Sequence, residues 1–147
     1  MQIGVESSRA VENKRIFVVE SDEIIGAALQ FMLHDENETH ELAGLDQAYA
    51  KGVDWKPDLV LLGLGIVQEQ GVGVLADIAE RLPTAKTVIV TSDPSDPLVQ
   101  ACLKAGAKDI LAKPFTIESV RHKVDVMLGR KKLPMISLGV LMPAPAK

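Results

Sequence analysis

The sequence predicts an α/β domain built from five β-α units, (βα)5, in which a parallel sheet lies between two layers of helices. Five short runs rich in apolar and β-branched residues start 19 to 29 residues apart, at 16–19, 39–43, 58–62, 87–91 and 109–112. Three of these runs are continuously apolar, which is typical of strands covered by helices on both faces. Each gap is long enough for the helix that a parallel crossover requires.

Helical periodicity and capping residues support this assignment. Ser21 is placed to cap a first helix, Asp96 and Pro97 begin a later one that Gly106 ends, and Thr116 is placed to cap the last. The glycine pairs at 63/65 and 71/73 predict a flexible loop after the third strand. Apolar stripes with helical spacing, together with one brief helix at 45–49, predict five helices; the stripes fall at 25–32, 74–82, 98–103 and 117–128.

Length, composition and charge restrict the class of protein. The chain has 147 residues, 47% of them hydrophobic, which suits one domain with a buried core. Its 16 basic and 20 acidic residues give a net charge of -4, which argues against a nucleic-acid-binding surface. The single cysteine, Cys102, is typical of a reducing compartment. With neither a membrane-span-length apolar run nor a signal peptide, the sequence predicts a cytoplasmic domain with no membrane partner.

The two ends of the chain differ from its middle. Residues 1–13 predict a polar leader, 14–130 the folded domain, and 131–147 a basic and then apolar tail with three prolines. Within the tail, Ile136–Met142 has five large apolar residues and no charge. Two interpretations stay open: a linker, or a docking or dimerising segment that pairs with a strand edge or a neighbouring molecule.

Four stretches of the sequence resemble bacterial response-regulator receiver domains, the CheY-like, flavodoxin-like modules of two-component signalling. They read IFVVESDE, PDLVLLGLG, TVIVTSD and GAKDILAKPF, within a resemblance that covers about 15–129. The resemblance implies a sheet in the order 2-1-3-4-5 and a cis peptide between Lys113 and Pro114.

The resemblance also implies a phosphoryl-transfer site at the carboxyl ends of the strands. The family's phosphate-binding lysine and hydroxyl fall on Lys113 and Thr91, and both are present. Three functional positions are altered: Gly63 stands at the acceptor aspartate, Ser21 at one of two metal-binding acids, and Ile110 at the aromatic switch. The pocket implied by the resemblance is therefore degenerate, and its residues are Glu20, Ser21, Asp22, Gly63, Gly65, Thr91 and Lys113.

These departures predict a pseudo-receiver: no enzyme, but a protein–protein interaction module that works without phosphorylation. No cofactor is expected, and Mg²⁺ binding is not expected, because Ser21 removes one acid. Without phosphate, the simplest partner for Lys113 is Glu20. Thr91 would cap a loop, and Asp22 would be a first-turn helix residue. The alternatives are phosphorylation at Asp22 or Ser21, and binding of a small anion or nucleotide in the pocket that glycine vacates.

The expected partner is a histidine kinase, a scaffold or an output protein. Receivers of this kind typically present their fourth helix, fifth strand and fifth helix to partners or to a second copy. Asp109 and Lys123 fall on two charged positions that pair across this face in winged-helix transcription factors, whereas Ser119 replaces an expected acid. Homodimerisation through this face or through the tail is a further expectation. The candidate interface comprises Leu98, Cys102, Lys108, Asp109, Arg121 and Lys123.

Overall fold

A computed structural model describes residues 14–130, which form a five-stranded parallel sheet in the order β2-β1-β3-β4-β5. This confirms the predicted α/β class and strand order. The predicted leader and tail lie outside the described residues. The strands are β1 (Arg15–Val19), β2 (Glu38–Leu42), β3 (Leu59–Gly63), β4 (Lys86–Thr91) and β5 (Asp109–Ala112).

Six helices connect and follow the strands in the described part of the chain, where the sequence predicted five. The additional helix occupies the segment predicted to be a flexible loop. That prediction was wrong because Leu64, Ile66 and Val67 are buried in the core, which orders two helical turns between Gly63 and Gly71. The helices are α1 (Glu23–Leu33), α2 (Leu45–Gly52), α3 (Leu64–Gln70), α4 (Val74–Arg81), α5 (Pro97–Lys104) and α6 (Ile117–Met127).

The core divides into two clusters, one on each face of the sheet. Alternate residues of β1 illustrate the division, since side chains alternate between the faces of a strand. Ile16 and Val18 pack with α1 and α6, whereas Phe17 and Val19 pack with α2, α3, α4 and α5. All four side chains are fully buried. The continuously apolar strands therefore face helices on both sides, as their sequence predicted.

The helix ends confirm most of the predicted caps. The Asp96 side chain accepts a hydrogen bond from the Leu98 amide at 2.9 Å, and Thr116 forms a capping box with Ser119. Gly106 follows α5 with a φ of +125°, a conformation that favours glycine. At α1 the prediction was wrong, because Asp22 and not Ser21 is the N-cap. The Lys113–Pro114 peptide is cis, as predicted.

A polar cluster joins the end of α6 to the turn that precedes β2. The Arg130 guanidinium bonds Asp125 Oδ1 at 3.0 Å and also donates to Asn37 Oδ1. Asp125 is only 7% exposed and Asn37 is likewise buried. The same guanidinium reaches the Glu36 carbonyl oxygen at 3.5 Å. The last described residue is therefore fixed beside the C-terminal end of α1.

No helix within residues 14–130 is long and apolar enough to cross a lipid bilayer.

Candidate functional site

The carboxyl ends of β1, β3, β4 and β5 surround a cleft of about 300 Å³. In open α/β sheets, ligands bind at this edge. Of the predicted pocket residues, the structure places six on the cleft wall: Glu20, Ser21, Asp22, Gly65, Thr91 and Lys113. The seventh, Gly63, lies beneath the Glu20 side chain.

The Glu20 carboxylate occupies the space that a side chain at position 63 would fill. A Cβ atom built on Gly63 would lie 2.4 Å from Glu20 Oε1 and 2.8 Å from Oε2, which is far inside van der Waals contact. Glu20 is 8% exposed, and its Oε2 accepts a hydrogen bond from the Asp22 amide at 3.0 Å. The expectation that glycine leaves an empty space is therefore wrong, because Glu20 folds over Gly63.

Burial raises the pKa of the Glu20 carboxyl above its usual value, because the surroundings solvate the ionised form less well than water does. The hydrogen bond from the Asp22 amide opposes this shift, and the positive charge of Lys113 opposes it more weakly. The net direction remains upward. Glu20 therefore carries its charge at a cost to the folded state.

Glu20→Gln is expected to raise the thermal unfolding midpoint at neutral pH, because the amide removes a buried charge and its oxygen can still accept the Asp22 amide bond. A folded-state pKa above the unfolded value means that the native protein binds more protons, so this group's contribution falls as pH rises from the ordinary Glu pKa through the raised one. The advantage of Glu20→Gln should therefore narrow as pH falls through the raised pKa towards the ordinary Glu value, and stay constant below it. Calorimetry across this pH range checks the expectation; a constant difference would contradict it.

Lys113 does not pair with Glu20. Among residues 14–130, no ion pair within 4.0 Å includes Lys113, and its side chain is exposed. The predicted pair is therefore wrong, and the inward turn of Glu20 over Gly63 is the reason. The Lys113 backbone amide bonds the Thr91 carbonyl oxygen at 3.1 Å, which holds the lysine at the cleft.

Two polar side chains of the pocket serve the local backbone. The Thr91 hydroxyl accepts a hydrogen bond from the Asp93 amide at 3.0 Å and donates one to the Asp93 carbonyl oxygen at 3.3 Å. Thr91 therefore caps the loop after β4, as predicted. Asp22 Oδ1 accepts from the Ile24 amide at 3.0 Å and thereby caps α1. Asp22 thus has a structural role at the first turn.

The donor set does not fit the Mg²⁺ ion that the family resemblance implies. Magnesium requires near-octahedral oxygen ligands, usually with one or two carboxylates directed at the ion. Here Glu20 covers Gly63, and an Asp22 oxygen is engaged as a helix cap. Within the described residues, no group of three His, Cys, Asp or Glu side chains is arranged to hold a metal.

The candidate interface is only partly assembled at the predicted face, which corresponds to α5, β5 and α6. Lys108 is exposed there, and Leu98 is half-buried against the core. Asp109 Oδ2 bonds Lys123 Nζ at 2.9 Å within the chain. The switch position, Ile110, also packs against the core.

Two predicted interface residues lie elsewhere. Cys102 is fully buried, because it belongs to the apolar stripe of α5 that packs on the sheet. Arg121 donates to the Met32 carbonyl oxygen at 2.8 Å and approaches Asp35, so it joins α6 to the end of α1. Cys102 is therefore not available to a partner, and the Arg121 side chain is turned towards α1.

Sequence reasoning missed half of the cleft wall: Ile25, Leu64, Gln68, Val90, Ser92 and Phe115. Gln68 was missed because it lies one turn into α3, a segment that was predicted to be a loop. Phe115 follows Lys113 and Pro114 in the GAKDILAKPF stretch, so this motif could have indicated that Phe115 lines the cleft.

Comparisons with known proteins agree on one family. The family described as "Response regulator receiver domain" matches residues 16–125. The KDP operon transcriptional regulatory protein KdpE of Escherichia coli is 33% identical over 119 residues, covering 78% of this chain and 51% of the relative. The match therefore spans about half the length of that regulator. The chemotaxis protein CheY of Thermotoga maritima is 29% identical, covering 69% of this chain and 87% of the relative.

Structural similarity supports the same fold. A response regulator from Thermotoga maritima superposes with a TM-score of 0.72 at 22% identity, covering 80% of this chain and 98% of that one. At this identity the likeness concerns the fold, whereas the match over residues 16–125 concerns the sequence family. The chain belongs to the response regulator receiver domain family.

Proposed function

We propose that this receiver is a non-enzymatic interaction module of two-component-type signalling, a pseudo-receiver that works without phosphorylation. The observation that carries the proposal is the Glu20 carboxylate over Gly63. Phosphoryl transfer to this family's site needs a carboxylate nucleophile at the end of the third strand. Glycine supplies none, and the neighbouring carboxylate fills the space where one would stand.

The alternative acceptors are poorly suited to the reaction. An Asp22 oxygen already accepts two backbone amides at the start of α1, at 3.0 and 3.4 Å, so phosphorylation there would disturb the cap. Ser21 is exposed at the edge of the cleft, and no histidine lines the cleft to activate its hydroxyl. The two carboxylates beside it are already engaged, Glu20 with the Asp22 amide and Asp22 with the Ile24 amide. We infer that neither residue replaces the missing aspartate, and that the protein functions without Mg²⁺ or another cofactor.

The proposed partner is a signalling protein, namely a histidine kinase, a scaffold or an output protein. Lys108 offers an exposed cation on the α5-β5-α6 face, and Leu98, at the start of α5, is partly accessible. Asp109 and Lys123 neutralise each other within one chain. A homodimer held by these two charges would have to break that pair, which favours a different protein as the partner at this face.

Incubation with acetyl phosphate and Mg²⁺ is expected to leave the intact mass of the protein unchanged, because no acceptor carboxylate is present. Mass spectrometry before and after incubation measures this directly. A gain of one phosphoryl group that disappears in Asp22→Ala or Ser21→Ala would refute the proposal.

The small-anion alternative is favoured by one observation, the exposed Lys113 at a cleft of about 300 Å³. Thermal unfolding of the unmodified protein and of Lys113→Ala distinguishes anion binding from the main proposal. A rise in the unfolding midpoint with inorganic phosphate that is lost in Lys113→Ala would support anion binding. An unchanged unfolding midpoint would show that the cleft does not bind phosphate and would leave the interaction module as the proposed function.

A further inference from the structure

The outer face of α1 carries an apolar stripe that the described residues leave uncovered. Ile24 is 81% exposed and Phe31 is 67% exposed. They are seven residues apart, which is two helical turns, so they lie on one face, with exposed Ala27 between them. The opposite face of α1, with Leu29 and Leu33, is fully buried against the sheet. The stripe is therefore additional to the residues that the fold itself requires.

The chain beyond residue 130 starts next to this stripe. Arg130 is bonded to Asn37 and to the Glu36 carbonyl oxygen, just beyond the end of α1 at Leu33. Five residues, 131–135, separate this anchor from the apolar segment Ile136–Met142. Five extended residues span up to about 17 Å. The stripe from Ile24 to Phe31 is about 10 Å long at 1.5 Å per residue, so the segment can reach it.

Charge follows the same order along the chain. Lys131 and Lys132 come directly after the anchor, and the turn after α1 exposes two acids, Asp35 and Glu36. The apolar segment then follows the lysines, just as the apolar stripe lies beyond the acids. A basic-then-apolar segment thus meets an acidic-then-apolar surface in matching order.

We propose that Ile136–Met142 packs in cis against the Ile24–Phe31 face of α1, with Lys131 and Lys132 beside Asp35 and Glu36. The segment then covers an interaction surface next to the cleft, since Ile25 of the same helix lines the cleft wall. A partner that binds α1 has to displace it. This docking does not depend on the loss of phosphorylation.

Full-length protein and full-length Leu138→Ser/Leu141→Ser are compared by amide NMR at two protein concentrations. The variant is expected to shift the amides of Ile24, Ala27 and Phe31, equally at both concentrations, and to increase the fluorescence of a hydrophobic dye by about twofold as apolar surface is uncovered. Phe31→Ser is expected to narrow the difference between the two tails. Val53→Ser is the matched control, because Val53 is 73% exposed but follows α2 on the other side of the sheet.

Two results would overturn the proposal. Unchanged α1 amides in the tail variant would show that the segment does not contact this face. Shifts that grow with protein concentration would place the segment on a second copy or a sheet edge of a neighbour, not on its own α1. Raised salt gives an independent check, since it should weaken the docking by screening the lysine–acid contacts.

Discussion

Gly63→Asp alone is expected to yield almost no phosphorylated protein with acetyl phosphate and Mg²⁺, whereas Ser21→Asp/Gly63→Asp should yield more by about tenfold or greater. In the single variant the new Cβ meets Glu20 Oε1 at 2.4 Å, so the Glu20 side chain must turn away. That movement is feasible because the clashing atom is the end of a flexible side chain. The metal site nevertheless stays one acid short until Ser21 is also replaced. Intact-mass spectrometry over a time course measures both variants.

A matched variant tests whether position matters more than charge. Ser21→Asp/Gly65→Asp has the same composition, and a Cβ at position 65 meets only Ser21 Oγ, at 3.6 Å. Its new carboxylate lies on α3 and not at the end of β3. We expect no phosphorylation of this variant. Equal phosphorylation of the two double variants would show that position 63 is not the missing acceptor.

Arg130→Ala is expected to lower the free energy of unfolding by about 3 kcal/mol, the usual loss when one partner of a buried ion pair is removed. Its guanidinium bonds Asp125, which is 7% exposed, and buried Asn37, so the substitution removes a cation from a poorly solvated carboxylate. Urea denaturation measures the loss.

Lys123→Ala is the control for this prediction. Lys123 also pairs with an aspartate on a neighbouring element, at 2.9 Å, but the side chains of Lys123 and Asp109 are 31% and 35% exposed. Such solvated pairs contribute less than about 1 kcal/mol. If Arg130→Ala and Lys123→Ala lower the free energy of unfolding equally, burial does not determine how much the Asp125–Arg130 ion pair stabilises the protein.

The sequence predicted the sheet well because its strands are buried on both faces. A run such as Leu59–Leu62 has no polar position that would suit solvent, so it indicates a covered strand. The helix α3 was missed because its apolar residues are few and glycines flank it on both sides. Its order depends on contact with the sheet, which local sequence does not encode.

The site was predicted by position but not by orientation. Glu20 was placed at the end of β1, yet the sequence could not show that its carboxylate turns towards Gly63 and away from Lys113. Arg121 illustrates the same limit, because its acceptor at Met32 lies 89 residues away along the chain. Helical spacing placed Arg121 on the last helix, but it could not show which neighbouring element the side chain would contact.

The Glu20 carboxylate over Gly63 has a consequence for how a cell could control this protein. If the proposed function is right, position 63 is never phosphorylated. The fraction of partner that is bound then depends only on the concentration of this protein and on the Kd of the complex. Raising occupancy from 10% to 90% by simple mass action takes roughly an eightyfold change in free concentration. Synthesis and degradation then become the means of regulation. Because losses of about 1–2 kcal/mol in stability can change cellular abundance several-fold, the Asp125–Arg130 contact would influence signalling through copy number.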